Sequence, residues 1–209
     1  MSNKTIILGT AHLSTTLGKR SPDGRLLEAV YSREIVAAVA EKLKQKHTVF
    51  VDYAPLNPQV SWRTGSWRTE QSRELNYRVT RVNSLCNTYG KTNCVYVSIH
   101  VNAAGADGKW HSAKGFTVFV SNNASNESKR LAKIFTADAI RSDLMGNRSI
   151  PTERYWSANL YVLRKTYCPA VLTENLFQDN KEDVDFLLSD KGKKSIIDLH
   201  VDAINEYCL

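Results

Sequence analysis

The chain has 209 residues, of which 42% are hydrophobic and 23% charged, as is usual for a soluble globular protein. That length is enough for one sizeable domain with a well-buried core, and no stretch approaches the roughly 20 apolar residues of a membrane span. The formal net charge is +7, which favours an anionic partner. Because no nucleic-acid-binding motif accompanies this charge, we expect that partner to be a surface such as a membrane or a wall, and not nucleic acid.

Apolar runs and helical periodicities alternate along the chain. The first half predicts three strands, at Thr5–Leu8, Thr48–Tyr53 and Val95–His100. Helices are predicted between them, at Leu27–Gln45 and Glu70–Tyr89. The second half predicts strands at Phe116–Val120 and Ala170–Thr173, with a strand-like run between them at Leu160–Leu163. It also predicts a helix capped within Asn122–Ser125 and two helices near the end of the chain, from Asn180 to Leu188 and from Lys191 to Tyr207. Strands that alternate with helices indicate a single α/β domain whose mostly parallel sheet has helices on both faces.

Two segments are predicted to be irregular. Gly146–Asn159 carries aromatic side chains without a clear period. The loop after the second strand contains a tandem repeat, Ser61-Trp62-Arg63-Thr64 and Ser66-Trp67-Arg68-Thr69. Two tryptophan–arginine pairs in a loop form either a binding surface or a lid packed against the protein itself, and the sequence supports both interpretations equally.

The four cysteines, Cys86, Cys94, Cys168 and Cys208, have none of the spacings of a cysteine zinc site. Cys86 and Cys94 lie near enough in sequence to form a disulfide bridge, and buried free thiols are an equally good interpretation. The cysteines therefore identify neither a metal site nor a redox compartment.

Polar side chains occur at the carboxyl ends of three predicted strands. His12 follows the first strand, His100 ends the third and Glu174 ends the last. Because the carboxyl ends of parallel strands meet at one edge of the sheet, where ligands bind in such folds, we expect these residues to lie together. Glu28 joins them, since it begins the helix that follows the first strand.

Two histidines and two glutamates at one crevice match the needs of a catalytic zinc ion. Such sites use three protein ligands, often two histidines and a glutamate, and a second carboxylate can move the proton of the attacking water. Taken singly, each residue has a simpler interpretation: His100 as a hydrogen-bonded histidine, Glu28 as an acid favoured by the helix dipole, and Glu174 as a surface residue. The coincidence of all four favours the site.

Several separated blocks of the sequence recur, in the same order, in one known family. The blocks are Ile7-Leu8-Gly9-Thr10-Ala11-His12, Glu28, Arg78 with Asn83, Ser98-Ile99-His100-Val101-Asn102, Gly115-Phe116, and Pro169 to Phe177 with Asn180. Together they cover nearly the whole chain, which resembles the zinc-dependent N-acetylmuramoyl-L-alanine amidases of the amidase-3 family. The sequence departs from that family in having Ala11 and Leu13 beside the first histidine instead of glycines, and in lacking a glycine shortly after Glu174.

The resemblance implies a twisted, mostly parallel sheet flanked by helices, and a single catalytic amidase domain over residues 1–209. It implies that His12, Glu28 and His100 bind Zn²⁺ and that Glu174 is the catalytic carboxylate. The implied reaction is hydrolysis, by zinc-activated water, of the amide bond between N-acetylmuramic acid and L-alanine of the stem peptide, so the implied partner is peptidoglycan. Glu34 lies on the same helix as Glu28, but a residue at the helix start faces the strand ends and is preferred as the ligand.

Four further residues are candidates for contact with the substrate. Asn102 ends the block that contains His100, and His111 lies in the loop that follows. Trp62 and Trp67 belong to the tandem repeat, and aromatic faces of this kind stack on sugars. We expect these contacts to involve the glycan strand or the stem peptide.

Two other functions remain compatible with the sequence. A zinc peptidase that cuts within the stem peptide would use the same four residues. A non-catalytic wall-binding module on this fold should have lost a ligand or Glu174, and all are present. Because the N-terminus lacks the pattern of a secretory signal, we expect a protein that reaches the cell wall after release from the cytoplasm, as a phage lysin, or by another export route.

Overall fold

The structure is a computed structural model that describes residues 4–52, 54–57 and 59–209. Within these ranges, six strands form one sheet in the order β2-β1-β3-β6-β4-β5. The strands are β1 (Thr5–Gly9), β2 (Thr48–Val51), β3 (Cys94–Asn102), β4 (Thr117–Ser121), β5 (Trp156–Ala158) and β6 (Ala170–Phe177).

The sheet is mostly parallel, as predicted. β1, β2, β3 and β6 run in the same direction, whereas β4 is antiparallel to β6 and β5 is parallel to β4. The carboxyl ends of β1, β3 and β6 therefore meet at one edge. β6 lies in the interior of the sheet, with β3 on one side and β4 on the other.

In the described part of the chain, six α-helices cover the sheet. They are α1 (Glu28–Leu43), α2 (Trp67–Tyr89), α3 (Asn126–Arg141), α4 (Tyr161–Lys165), α5 (Lys181–Leu188) and α6 (Asp190–Tyr207), and a 3₁₀ turn at Val60–Trp62 precedes α2. Side chains cap three of them, because Ser125, Asn180 and Ser189 each accept a hydrogen bond from a backbone amide in the first turn of the following helix. No helix within the described ranges is both long and apolar enough to cross a membrane.

Hydrophobic layers form on both faces of the sheet, as predicted for this fold class. On one face the strands pack against α1, α3, α5 and α6, with Ile35 and Phe135 among the buried side chains. On the other face α2 and α4 cover the sheet, and Val82 packs there with Tyr96 and Leu172. Burial of this apolar surface is the main favourable contribution to the stability of the fold.

Strand alternation places two of the predicted site residues on the α2–α4 face. Tyr96 and His100 are four residues apart on β3, and Leu172 and Glu174 are two apart on β6, so each pair points to the same side of the sheet. Because Tyr96 and Leu172 pack beneath α2 and α4, His100 and Glu174 also lie on the α2–α4 face of the sheet.

The prediction of a strand at Leu160–Leu163 is wrong. Leu160 has an extended backbone and precedes α4, in which Val162 and Leu163 are buried against the layer formed with α2. A short apolar run is compatible with a buried strand and with one buried turn of helix, and periodicity cannot distinguish the two.

Three smaller differences concern element boundaries. The segment Gly146–Asn159, predicted to be irregular, contains the edge strand β5. Trp67 is not in a loop but begins α2, and β6 continues beyond Glu174 to Phe177, so Glu174 lies within the strand and does not end it. The predicted end of the second strand, Tyr53, falls outside the described residues.

All four cysteines are free and buried. The disulfide between Cys86 and Cys94 that the sequence allowed is therefore absent from the structure, and the alternative of buried thiols is the one observed. Cys86, Cys94 and Cys168 belong to the hydrophobic layer beneath α2 and α4, where they behave as small apolar side chains.

Candidate active site

His12 lies three residues beyond β1, in a turn that buried polar contacts hold in place. The Ser32 hydroxyl accepts a hydrogen bond from the Ala11 amide (2.8 Å) and donates one to the Ile99 carbonyl (2.6 Å). The Arg33 guanidinium donates to the carbonyls of Ala11 and His12, and to three others in α1 and in the loop after β2. His12 has a φ of +42°, which few residues other than glycine adopt. These contacts maintain that backbone conformation and so set the direction of the imidazole.

Glu28, the first residue of α1, is fully buried at the carboxyl edge of the sheet. Its Oε1 accepts a hydrogen bond from the Val101 amide (3.2 Å) and lies 3.1 Å from His100 Nδ1 and 3.4 Å from His12 Nε2. Its Oε2 lies 3.7 Å from the Lys19 ammonium and has no hydrogen-bond partner among the described residues. One buried carboxylate therefore lies between two imidazoles and faces an ammonium group.

The side chains of His12, Glu28 and His100 can hold a divalent metal ion. One donor atom from each lies within 4.8 Å of the other two. Bonds of about 2.0–2.1 Å in a tetrahedral zinc site put neighbouring donor atoms about 3.4 Å apart. The observed separations from Glu28 Oε1, 3.1 and 3.4 Å, are close to that spacing. His100 Nε2 lies 3.1 Å from the Ser98 hydroxyl. This contact orients the ring, so that Nδ1 is the nitrogen available to bind a metal ion.

The protonation states of these groups suit a metal site. Burial opposes the ionisation of Glu28, but His12 and the hydrogen bond from His100 outweigh this effect and hold the pKa of the Glu28 carboxyl well below its ordinary value. Burial lowers the pKa of His100 to about 4, although its hydrogen bond to Glu28 opposes the shift. A carboxylate and a neutral imidazole are the forms that bind metal ions.

Glu174 lies directly opposite His100 in the register between β3 and β6, and opposite Thr117 on β4. Its Oε2 is buried and has no hydrogen-bond partner among the described residues. Burial and the negative charge of Glu28 raise the pKa of the Glu174 carboxyl well above its ordinary value. A carboxyl group with a raised pKa is suited to accept and return a proton near neutral pH.

A β-bulge follows Glu174. The register between β3 and β6 shifts after His100, so that Asn102 pairs with Phe177, and Leu176 has a φ of +65°. Bulges are frequent beside active sites because they redirect neighbouring side chains. Asn175 Nδ2 also donates to the His100 carbonyl (2.9 Å), so the turn of the chain after Glu174 is attached to the facing strand.

A buried ionic cluster lies beneath the site. Arg78 is 2% exposed and forms ion pairs with Asp52 and Glu74. It also donates to the Thr10 hydroxyl (3.0 Å), and its Nη2 donates to the His12 carbonyl (3.5 Å). Sequence reasoning found Arg78 only through the family resemblance and missed its two carboxylate partners. The spacing of Glu74 and Arg78, four residues apart on one helix, was the available signal.

A cleft with a volume of about 200 Å³ opens above these groups. Its lining residues are His12, Lys19, Gln71, Glu74, Leu75, Arg78, His100, Leu160, Tyr161, Val162, Leu172 and Glu174. The cleft thus brings both histidines and Glu174 together over buried Glu28. Sequence reasoning missed Lys19, Gln71 and Tyr161, because a lysine in a polar loop and polar residues on two helices have no distinctive spacing.

Asn102 and His111 are not among the residues that line the cleft. Asn102 Nδ2 donates to the Thr117 hydroxyl (3.3 Å), beyond His100 on β3. His111 Nε2 lies 2.9 Å from Asp107 Oδ1, within the loop that follows β3. Their contact with substrate stays a prediction.

Trp62 and Trp67 also lie outside the cleft. Trp62 packs edge-on against Tyr77 of α2, with ring centroids 5.4 Å apart, and is partly buried. Trp67 is 37% exposed, and the Arg68 guanidinium lies 4.8 Å from the centre of its ring. The two halves of the repeat therefore differ, since one tryptophan packs against the protein and the other faces solvent.

Two other titratable residues lie away from the site. Glu34 is exposed and pairs with Lys193 (2.6 Å), so the structure does not place it near the histidines. His200 is buried on the opposite face of the sheet, with Nε2 2.9 Å from the Thr173 hydroxyl and Nδ1 2.7 Å from the Ile196 carbonyl.

Comparison with known proteins places the chain in a family. Among curated proteins, the chain is 34% identical over 114 residues to the endolysin of Bacillus phage SPP1, a match that covers 54% of this chain and 39% of the endolysin. Among solved structures, it is similar to the CwlD amidase from Clostridioides difficile, determined in complex with the GerS lipoprotein (TM-score 0.77, 21% identity, 98% of each chain). It is also similar to the N-acetylmuramoyl-L-alanine amidase from Clostridium difficile 630 (TM-score 0.74, 21% identity, 99% of this chain and 97% of that one).

The structural matches show the fold, and the sequence profile shows the family. The profile of the family described as N-acetylmuramoyl-L-alanine amidase matches residues 6–206, which is nearly the whole chain. The chain therefore belongs to the N-acetylmuramoyl-L-alanine amidase family.

Proposed function

We propose that this protein is a zinc-dependent peptidoglycan hydrolase that cuts the amide bond between N-acetylmuramic acid and L-alanine of the stem peptide. The observation that carries the proposal is the meeting of His12, Glu28 and His100 around one point, with Glu174 beside them in the same cleft. Family membership supports the choice of bond. We take residues 1–209 as a single catalytic domain.

The donor set fits zinc. Two imidazoles and one carboxylate are a common ligand set for catalytic zinc, and Glu28 Oε2 is a buried oxygen that lacks a hydrogen-bond partner among the described residues. When bound, zinc supplies a positive charge that polarises the scissile carbonyl and lowers the pKa of water to about 7. His12, Glu28 and His100 hold the ion.

Glu174 has a different role in the proposal. Its raised pKa and its position opposite His100 suit a general base that takes a proton from the attacking water. The same carboxyl then delivers that proton to the amine of the departing L-alanine. Ser98 and Arg33 are positioning residues, since the first orients the His100 ring and the second holds the backbone of the turn that carries His12.

Substrate contacts come from the walls of the cleft and from its surroundings. Lys19 and Tyr161 face the space that the scissile bond would occupy. Asn102, His111, Trp62 and Trp67 are proposed to contact the glycan strand or the stem peptide further from that bond. The site of action is the cell wall, a proposal supported by the similarity to the SPP1 endolysin.

The test is digestion of purified peptidoglycan followed by mass spectrometry of the products. Free alanine N-termini beside intact muramic acid are the expected result, and activity should disappear with a chelator and return with added zinc. New ends only within the stem peptide would identify a zinc peptidase instead. Wall binding without any new ends would identify a non-catalytic module.

A further inference from the structure

The net charge of the protein is concentrated on one layer of the fold. Residues 61–91, which contain α2, and residues 161–167, which contain α4, carry eight basic and two acidic residues. Their net charge is thus +6, against +7 for the whole chain. The remainder of the molecule is almost neutral although it contains most of the charged residues.

The two helices form one continuous surface. Asn83 of α2 donates to the Lys165 carbonyl and accepts a hydrogen bond from the Tyr167 amide, both at 2.9 Å. The Tyr161 hydroxyl at the start of α4 donates to Asn76 of α2. The exposed basic side chains on these two helices therefore lie on the same side of the molecule.

Six basic residues of this layer, which we call the basic face, are exposed and without an ion pair among the described residues. They are Arg63, Arg68, Arg73, Lys91, Arg164 and Lys165. Three of them lie over aromatic rings instead of carboxylates, Arg68 over Trp67, Lys91 over Tyr167 at 5.2 Å and Arg164 over Tyr161 at 5.7 Å. Cationic groups that no acid neutralises are available to an anionic partner.

The rest of the molecule is different, because its acidic residues nearly equal its basic ones in number and several of them form ion pairs with basic residues. The pairs include Lys42–Asp198 (2.8 Å), Lys193–Glu34 (2.6 Å), Arg130–Glu127 (3.2 Å) and Arg141–Glu206 (3.1 Å). Solubility alone would not require such an uneven distribution of charge between the two layers of one small domain. The asymmetry points to a partner of the basic face.

The position of the basic face indicates which partner. The same helices line the catalytic cleft, α2 through Gln71 and Leu75 and α4 through Tyr161. A polymer held in the cleft therefore continues onto this surface. Stem peptides of peptidoglycan carry free carboxylates, and the arginine fork pairs with carboxylates in a bidentate geometry.

We propose that the basic face is a second binding surface for peptidoglycan, on which these side chains hold the free carboxylates of stem peptides that neighbour the one being cut. The inference rests on the proposed function for the identity of the polymer. It adds a site outside the cleft and names the chemical group that the site recognises. Several weak ion pairs on one insoluble polymer act together, so their combined effect on binding is large although each pair is weak.

Two matched variants test the proposal by sedimentation with insoluble peptidoglycan from which hydrofluoric acid has removed phosphate polymers. The face variant combines Arg63→Gln, Arg68→Gln, Arg164→Gln and Lys165→Gln. The control variant combines Lys44→Gln, Lys46→Gln, Lys133→Gln and Lys191→Gln, which are exposed on the other layer and remove the same charge. We expect the face variant to bind roughly tenfold more weakly and the control to bind within about twofold of the unaltered protein.

A second measurement uses the unaltered protein and keeps the proposal testable if the face variant folds poorly. Converting the stem-peptide carboxylates to amides with a carbodiimide and ammonia should weaken binding by a similar factor. Equal losses in the two variants, undiminished binding to the amidated polymer, or binding that needs the phosphate polymers would each overturn the proposal. Failure of the proposed function is seen separately, as an absence of cleavage of a soluble disaccharide-peptide by the unaltered protein.

Discussion

His100 and Glu174 lie directly opposite each other on adjacent parallel strands. Their side chains point to the same face, across a strand spacing of about 4.8 Å, yet their surroundings differ. His100 is hydrogen-bonded to Glu28 and Ser98, whereas Glu174 Oε2 has no hydrogen-bond partner among the described residues. This pairing places the proposed metal ligand on one strand and the proposed general base on the next.

The first prediction concerns Glu174. Glu174→Gln keeps the shape of the side chain and removes the base, so turnover of peptidoglycan should fall roughly 10²–10⁴-fold. The variant should fold and retain about one zinc per chain, measured by atomic absorption. A fully active variant would show that the proposed proton transfer is wrong.

Glu28 should behave differently, because it is proposed to hold the metal. Glu28→Ala leaves two histidines and should lose zinc together with activity, which metal analysis of the purified variant will show. Glu34→Ala is the matched control, since Glu34 is an exposed glutamate of the same helix, and it should keep both. If the Glu28 variant keeps zinc and the Glu174 variant loses it, the two roles are reversed.

The cluster around Arg78 should be important for stability. Arg78→Met leaves Asp52 and Glu74 buried without their counter-ion, so the free energy of unfolding should fall by about 3–5 kcal/mol in urea titrations. Lys133→Met, at an exposed position of α3, should change it by less than about 0.5 kcal/mol. Similar small effects in both variants would contradict a structural role for the cluster.

The stability of the fold should also depend on pH through His200. Burial lowers the pKa of His200 from 6.5 to about 4. As pH falls from 6.5 to 4, the unfolded chain takes up a proton that the native protein excludes, so native stability falls over that range by about 3 kcal/mol. Above pH 6.5 this contribution is constant.

The stability difference between the unaltered protein and His200→Gln isolates that contribution. Between pH 7 and pH 4, denaturant titrations should show the unaltered protein losing stability relative to the variant, because glutamine does not titrate. The other histidines are common to both proteins and cancel in the difference. A difference that is constant across the range would exclude His200 as the source.

Mutations of the two tryptophans of the repeat should have different effects on stability and binding. Trp62 packs against Tyr77, so Trp62→Ala should lower the free energy of unfolding by about 1–3 kcal/mol. Trp67 is more exposed, so Trp67→Ala should leave the melting temperature nearly unchanged and weaken binding to peptidoglycan. Unchanged binding by the second variant would limit the repeat to a structural role.

Much of the fold was predictable because its elements carry strong patterns. α1 and α6 have apolar positions at helical spacing, and β1 and β3 are buried runs between polar segments, so their limits were predicted within a few residues. The convergence of His12, Glu28 and His100 followed from one rule, that the carboxyl ends of parallel strands meet at one edge. Their roles as ligands stay predictions.

The remainder depends on contacts between distant segments. Arg33 binds five carbonyl oxygens from three separate parts of the chain. No local sequence pattern predicts contacts of this kind. Lys19 lies in the cleft because its loop folds back over Glu28. The short elements α4 and β5 were misassigned because five and three residues are too few to show a period.

The interior position of β6 has a consequence for how such enzymes can diverge. Glu174 pairs with His100 of β3 on one side and with Thr117 of β4 on the other. Its backbone therefore cannot shift without disrupting the pairing of β6 with both neighbouring strands. Trp62 and Trp67 lie outside the sheet, on a turn and at a helix start that follow β2. We therefore expect insertions or replacements in that connection to change how tightly the protein binds a given peptidoglycan without displacing Glu174 or His100.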